Sequence, residues 1–367
     1  MKKLFLSVGL ALALSGFAQA KTPPEVLTPY KEYRAALKAE DLKKASKYAL
    51  EAWQQAETLI GDAKITGDLA QNYADIYKPK KDKNTVKAYE RAIELSKFYK
   101  TGANELYLDR SVKLAAYHLQ IRNRSKAAKI LKTAKEFAVG AGLAESTYMA
   151  EIKTYQAQIE VIKGNHKKTE KLADEALALF QQRKDGLVSV QPIFATLYSG
   201  YGKEGQEEFV PAVMEYQKIM EGLDTALPRT HPLRMRALGR WMTMRNRINR
   251  EGLMEEAEAA GLCACWPYDK KRNENVEPIK RVPPVMPRNA WQSGFAIVEF
   301  NLDDAGGTKD AKILESWPQD IWDKSALKAV SNWEYAPRTA EETDDDRTEL
   351  VVTIRYSLKD SNGDLIE

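Results

Sequence analysis

The residues of this chain best suited to redox or metal chemistry are Cys263 and Cys265 and the histidines His118, His166 and His231. One residue separates the two cysteines, so an intrachain bridge between them is strained; a labile disulfide and a bond to another chain both stay open. Two thiols and three histidines that share no motif do not assemble the four-ligand site zinc requires, and each histidine reads as structural or exposed. The cluster Glu341, Glu342, Asp344, Asp345 and Asp346 has enough carboxylates for calcium. It lacks the glycine-spaced order of a calcium loop, which leaves a solvated hairpin. No nucleophile elbow, phosphate loop or metal-binding spacing occurs, so the pattern offers neither a catalytic centre nor a cofactor site. The chemistry that remains is recognition.

Charge narrows what can be recognised. Lys and Arg number 56 against 52 Asp and Glu, a formal net charge of +4, and a nucleic-acid groove needs basic residues far more concentrated than this. One stretch is concentrated: Arg229, Arg234, Arg236, Arg240, Arg245, Arg247 and Arg250, interleaved with Met235, Trp241, Met242 and Met244. A basic amphipathic helix of this kind can touch anionic lipid; the simpler expectation is a solvated face whose aliphatic stems pack on the protein.

The elements that would hold a recognition surface follow from residue periodicity. Lys2 and Lys3, the apolar run Leu4 to Phe17 and the triplet Ala18-Gln19-Ala20 have the order of a secretory signal removed after residue 20. The expected mature chain is periplasmic and carries no transmembrane helix, since charges break every later apolar run. From 22 to 262 the pattern is helical, with small residues recurring on one stripe. The sets are Ala45, Ala49 and Ala52; Thr85, Tyr89 and Ala92; Ala127, Leu131 and Ala134; and Thr169, Ala173 and Ala176. They begin 40, 42 and 42 residues apart, each unit holding two helices, which is the signature of a stacked solenoid. A fifth set follows at Ala212, Tyr216 and Ile219, and a truncated sixth unit between Gly252 and Ala260. The stripe resembles that of the tetratricopeptide repeat family. The first-helix positions diverge: Ala157 suits the small position that Tyr33 and Tyr73 occupy in earlier units, and the helices are longer, as in HEAT-like variants.

Prolines 267, 278, 283, 284 and 287 exclude regular helix and predict an extended linker over 263–282. Beyond it the period becomes two. Ala296, Val298, Phe300 and Leu302 alternate with Phe295, Ile297, Glu299 and Asn301, one apolar face against one mixed face, and Asp304 to Gly307 supply a turn. A returning strand at DAKILES, a helix over Ile321 to Trp333 with Asp320 as N-cap, and a last strand at Leu350 to Leu358 complete a ββαβ module. Trp317, Trp322 and Trp333 read as its core.

Ordered elements from about Pro283 to Leu358 make this module similar to the TonB C-terminal domain family of Gram-negative bacteria. They are Met286-Pro287 and Ala290, Gly294, Val298-Glu299-Phe300, Gly307 and Ser316. Trp322-Asp323, Ser325-Ala326-Leu327, Ala329-Val330, Trp333-Glu334-Tyr335 and Pro337 follow in order. Met286 stands where the family usually has Tyr. The overall expectation is α+β: a signal peptide over 1–20, an all-α solenoid over 22–262, a linker over 263–282, the TonB-like domain over 283–360 and a tail over 361–367. The resemblance implies a non-enzymatic part in energised transport across the outer membrane, with TonB-dependent receptors as partners. Inner-membrane motor components (ExbB/ExbD-like proteins or TonB itself) are further partners it implies. A receptor peptide would add as a strand to the edge at Val351, Thr353, Ile354 and Arg355, with Pro284, Met286 and Pro287 as a receptor-contact segment. The helical repeats would bind other proteins. The alternative is a periplasmic scaffold or envelope-assembly protein that uses the same modules outside transport.

Overall fold

The computed structural model describes residues 22–76, 82–99, 101–182, 190–223, 232–262, 276–290, 293–318, 320–356 and 358. The expected signal, Cys263 and Cys265, Arg229, His231 and the tail over 361–367 lie outside the described residues. The chain forms two compact units, Met1–Ala195 and Thr196–Glu367, so the stretch 22–262 is shared between them. Among the described residues no helix is long and apolar enough to cross a membrane.

Antiparallel helix hairpins build the first unit. Helices α1 (Pro24–Lys38) and α2 (Leu42–Leu59), α3 (Lys64–Ala74) and α4 (Lys83–Glu94), α5 (Ala103–Gln120) and α6 (Arg124–Gly140), and α7 (Thr147–Ile162) and α8 (His166–Gln181) pack in pairs. The small-residue stripes lie on α2, α4, α6 and α8, and all twelve of their residues are buried. Ala and Thr at these positions let neighbouring helices approach closely. Side-chain caps start several helices, as where Asp41 accepts from Lys44 N at 3.0 Å. Arg110 on α5 is wholly buried; it donates to Asp68 at 3.0 Å, to Ser96 Oγ at 3.1 Å and to the Ala92 carbonyl. His118 is buried and His166 exposed.

Helix α9 (Gln191–Gly205) carries the chain into the second unit, followed by α10 (Phe209–Leu223), α11 (Pro232–Arg250) and the short α12 (Met254–Ala259). Ala212, Tyr216 and Ile219, the fifth stripe, are buried on α10. Then come β1 (Pro278–Lys280), β2 (Gly294–Leu302), β3 (Thr308–Trp317), α13 (Asp323–Val330), β4 (Glu334–Tyr335) and β5 (Leu350–Tyr356). Strands β3, β2 and β5 form one antiparallel sheet in that order, while β1, inside the stretch expected as linker, pairs with β4. Helix α13 covers one sheet face, where Ala296, Val298, Phe300, Leu350, Ile354 and Tyr356 pack with Trp322, Ala326 and Val330.

Several local expectations give way to packing. The predicted helix shortens to Asp323–Val330 with Trp322, not Asp320, at its N-cap, and Asp320 sits two residues earlier at φ 63°. Trp317 is only half-buried; it ends β3 opposite Phe295, on the face away from α13. The acidic stretch is no simple hairpin: Asp344–Arg347 is a 3-10 turn capped reciprocally by Thr343 and Asp346. The constrained turn glycine is Gly306 rather than Gly307. It has φ 91°, and a Cβ there would lie 1.9 Å from the Tyr335 carbonyl oxygen.

Candidate binding edge

Strand β5 is hydrogen-bonded to β2 along one side, from Gly294 opposite Tyr356 to Phe300 opposite Leu350. On its other side no strand of the described residues pairs with it. Alternate N–H and C=O groups of a strand in this position point outward and can pair with an incoming strand. The edge is held straight at both ends. Glu349 N donates to Asn301 Oδ1 at 2.8 Å, and Leu358 N donates to Ser293 Oγ at 2.9 Å. Just upstream, Arg347 is buried and donates to the carbonyls of Asp303 at 2.8 Å and Ala336 at 3.2 Å, and to Glu342. The sequence alone did not mark Arg347. Its only signal was one basic residue closing an acidic run.

The predicted edge residues fall on two faces. Val351, Thr353 and Arg355 share the face away from α13, with Thr353 and Arg355 exposed. Ile354 turns into the α13 core and offers only its backbone. The segment with Pro284, Met286 and Pro287 sits elsewhere: the carbonyls of Val282 and Val285 accept from Trp333 Nε1 and Ser325 Oγ, which ties it to α13 and its flank. Val285 and Met286 are exposed there. No hydrogen bond or ion pair among the described residues joins this segment to β5.

The second sheet face, read from sequence as half polar, is covered by α11. Arg234 lies 3.7 Å from Glu315 on β3, a Cβ on Gly239 would touch the Phe295 ring of β2 at 3.3 Å, and Thr243 Oγ1 accepts from Arg355 on β5 at 3.5 Å. With residue number rising along α11, the helix crosses all three strands. Its apolar side chains Met235, Leu238, Trp241, Met242 and Met244 are buried, as are Phe295 and Ile297 below. The described part of the basic run is therefore a packed layer rather than a solvated face: Arg234 is buried, Arg236, Arg240, Arg245 and Arg247 are half-buried, and Arg250 is exposed. At its C-terminal end a cleft of about 750 Å³ opens beside Arg355.

The sheet thus has β3 and β5 as its outer strands, with α13 on one face and α11 on the other, and strand borders of this kind are where extended polypeptides add. Residues 284–358 match the family model described as Gram-negative bacterial TonB protein C-terminal, and they form a TonB C-terminal domain. Over 77 residues the chain is 29% identical to Protein TonB of Pseudomonas aeruginosa, a match covering 20% of this chain and 22% of that protein. The chain thus aligns with less than a quarter of that relative's length. A solved structure, that of BtubC (BKLC) from P. vanneervenii, is similar at 18% identity with a TM-score of 0.42, over 65% of this chain and 87% of that one.

Proposed function

We infer that this is a periplasmic TonB-like protein in energised transport across the outer membrane, which receives an extended peptide of an outer-membrane receptor as an added strand on β5. The observation that carries this reading is the border position of β5 in a TonB C-terminal domain. Strand addition draws its affinity from main-chain hydrogen bonds and its specificity from alternate side chains, and on β5 those are Val351, Thr353 and Arg355. The helical hairpins supply a second protein-binding surface, through which the chain meets motor components that it has no described membrane helix to reach.

Site-directed disulfide trapping tests the assignment. The full chain, with Cys263 and Cys265 changed to Ser and Thr353→Cys added, is mixed with receptor N-terminal peptides that carry one cysteine stepped along their length. An added strand in one register traps best at the single peptide position opposite residue 353 and not at the positions on either side of it, because side chains alternate across a strand and only the opposite pair comes within disulfide reach. Trapping no better than at a remote helical site such as Thr58→Cys would remove β5 as the receiving edge.

A further inference from the structure

The cleft at the end of α11 has a charge arrangement that strand pairing leaves unused. Five ionised side chains line it, Glu204, Glu207, Arg247, Arg250 and Arg355, and two of them are already neutralised. Glu204 accepts from Arg240 at 2.8 Å and from the Tyr216 hydroxyl at 2.7 Å. Arg247 pairs with Glu251 at 2.9 Å and lies over the Phe209 ring, 4.9 Å from its centroid. Arg250 and Arg355 differ: neither has a carboxylate partner among the described residues, Glu207 of the same cleft included. Among the described residues Arg355 donates to Thr243 Oγ1, which in turn donates to the Gly239 carbonyl at 2.9 Å. Burial, and after it the like charge of Arg250, pulls the Arg355 guanidinium below its ordinary value. Two cations held near each other without a counter-charge raise the energy of the empty site, and an anion placed between them lowers it.

The geometry points to a carboxylate-binding subsite: Arg250 and Arg355 together hold an acidic side chain of the peptide that adds to β5. This rests on β5 being the receiving edge. Arg355 is itself a β5 residue, so its guanidinium lies where the side chain of an added strand would arrive. Arg250 reaches the same place from α11. Arginine suits the task, since its planar fork matches a carboxylate with two parallel hydrogen bonds. Glu204, Phe209, Thr243 and Arg250 all precede residues 284–358, so the helical segment adds to the domain a selectivity that the strand edge alone lacks.

The test uses the full chain and fluorescein-labelled seven-residue β-branched peptides that carry one Asp, or its uncharged isostere Asn, at each position in turn. Anisotropy titrations are expected to show Asp binding about tenfold tighter than Asn at one position only, the scale of a charge-assisted bidentate pair. In the Arg250→Gln, Arg355→Gln double variant the Asp and Asn peptides bind alike at that position. Arg355→Glu turns the preference at that position toward Lys, which shows the variants to be folded and the contact direct. Equal binding of Asp and Asn peptides at every position overturns the subsite and leaves strand addition standing. Binding of no peptide at all removes the reading of β5 beneath it. An Asp gain that survives both Gln substitutions places the acid elsewhere and also overturns the proposal. So does an Asp gain that emerges only after residues 359–367 are deleted, or a change of self-association on light scattering in the arginine variants. Those results would assign the cleft to the chain's own segment or to a second copy.

Discussion

Removing the indole of Trp322 is expected to cost the β-sheet domain about 4 kcal/mol. The side chain is fully buried, and its ring stacks on Tyr356 with centroids 4.1 Å apart and planes 14° from parallel. Burying a tryptophan takes roughly 150–250 Å² out of water, which at about 25 cal/mol/Å² is worth about 4–6 kcal/mol. A compact denatured chain already hides roughly 10–40% of that area, which brings the figure to about 3–5 kcal/mol. The offset stack adds about 0.5–1.5 kcal/mol beyond area. Tyr356 lies at the end of β5 opposite Gly294, so the loss falls on the proposed binding strand. Hydrogen exchange read by mass spectrometry separates the segments. In Trp322→Ala, amides of 294–302 and 350–356 should exchange about a thousandfold faster, at a factor of ten per ~1.4 kcal/mol. Those of α1 to α8 should stay unchanged, and Trp322→Phe should fall between the two. Acceleration under tenfold in β2 and β5 would refute the assignment of Trp322 as keystone of that face.

Gly294→Ala puts a Cβ 1.9 Å from the Trp317 carbonyl oxygen and 2.2 Å from Trp322 Nε1. Strand and indole must then part, so a loss of at least about 1–3 kcal/mol is expected in denaturant melts of the same domain. In the first unit, burial beside Arg110 lifts the Asp68 carboxyl to about 6 from an ordinary 3.8, the Arg110 charge opposing the shift. The folded state then binds the proton more tightly than the unfolded chain, so this group favours folding at low pH and the benefit is lost as pH rises through about 4 to 6. Asp68→Asn should remove that dependence, worth at most about 3 kcal/mol. Melting curves of the two proteins from pH 4 to 7 that run parallel would contradict it.

What the sequence disclosed depended on how local the determining contacts were. The helical hairpins were legible because Ala45, Ala49 and Ala52 and their later counterparts close contacts within one unit of about forty residues. Strands β2 and β5 were legible from period-two alternation, and β3 from the short β-type run DAKILES that returns after a turn. Helix α11 was not, since its Arg and Met residues resemble any rim of a solvated helix and its partners Phe295, Glu315 and Arg355 lie 50 to 115 residues further along. The same distance hid the second buried face of β2, where Phe295 and Ile297 share their side of the strand with Glu299 and Asn301. Asp320 has the residue type of an N-cap but a left-handed backbone, imposed where the chain turns from β3 toward α13. Strand β5 lies at a border of the sheet. Arg250 and Thr243 entered its surroundings only through the fold.

A sheet fastened by one helix across all three of its strands has a mechanical consequence. On the proposed reading, tension on a peptide added to β5 meets more than that strand, because Thr243 and Arg234 of α11 contact Arg355 on β5 and Glu315 on β3, and α11 passes close over Phe295 of β2 between them. The traction is spread over the whole width of the sheet and shears several contacts together, so the guest strand should let go before its host unravels.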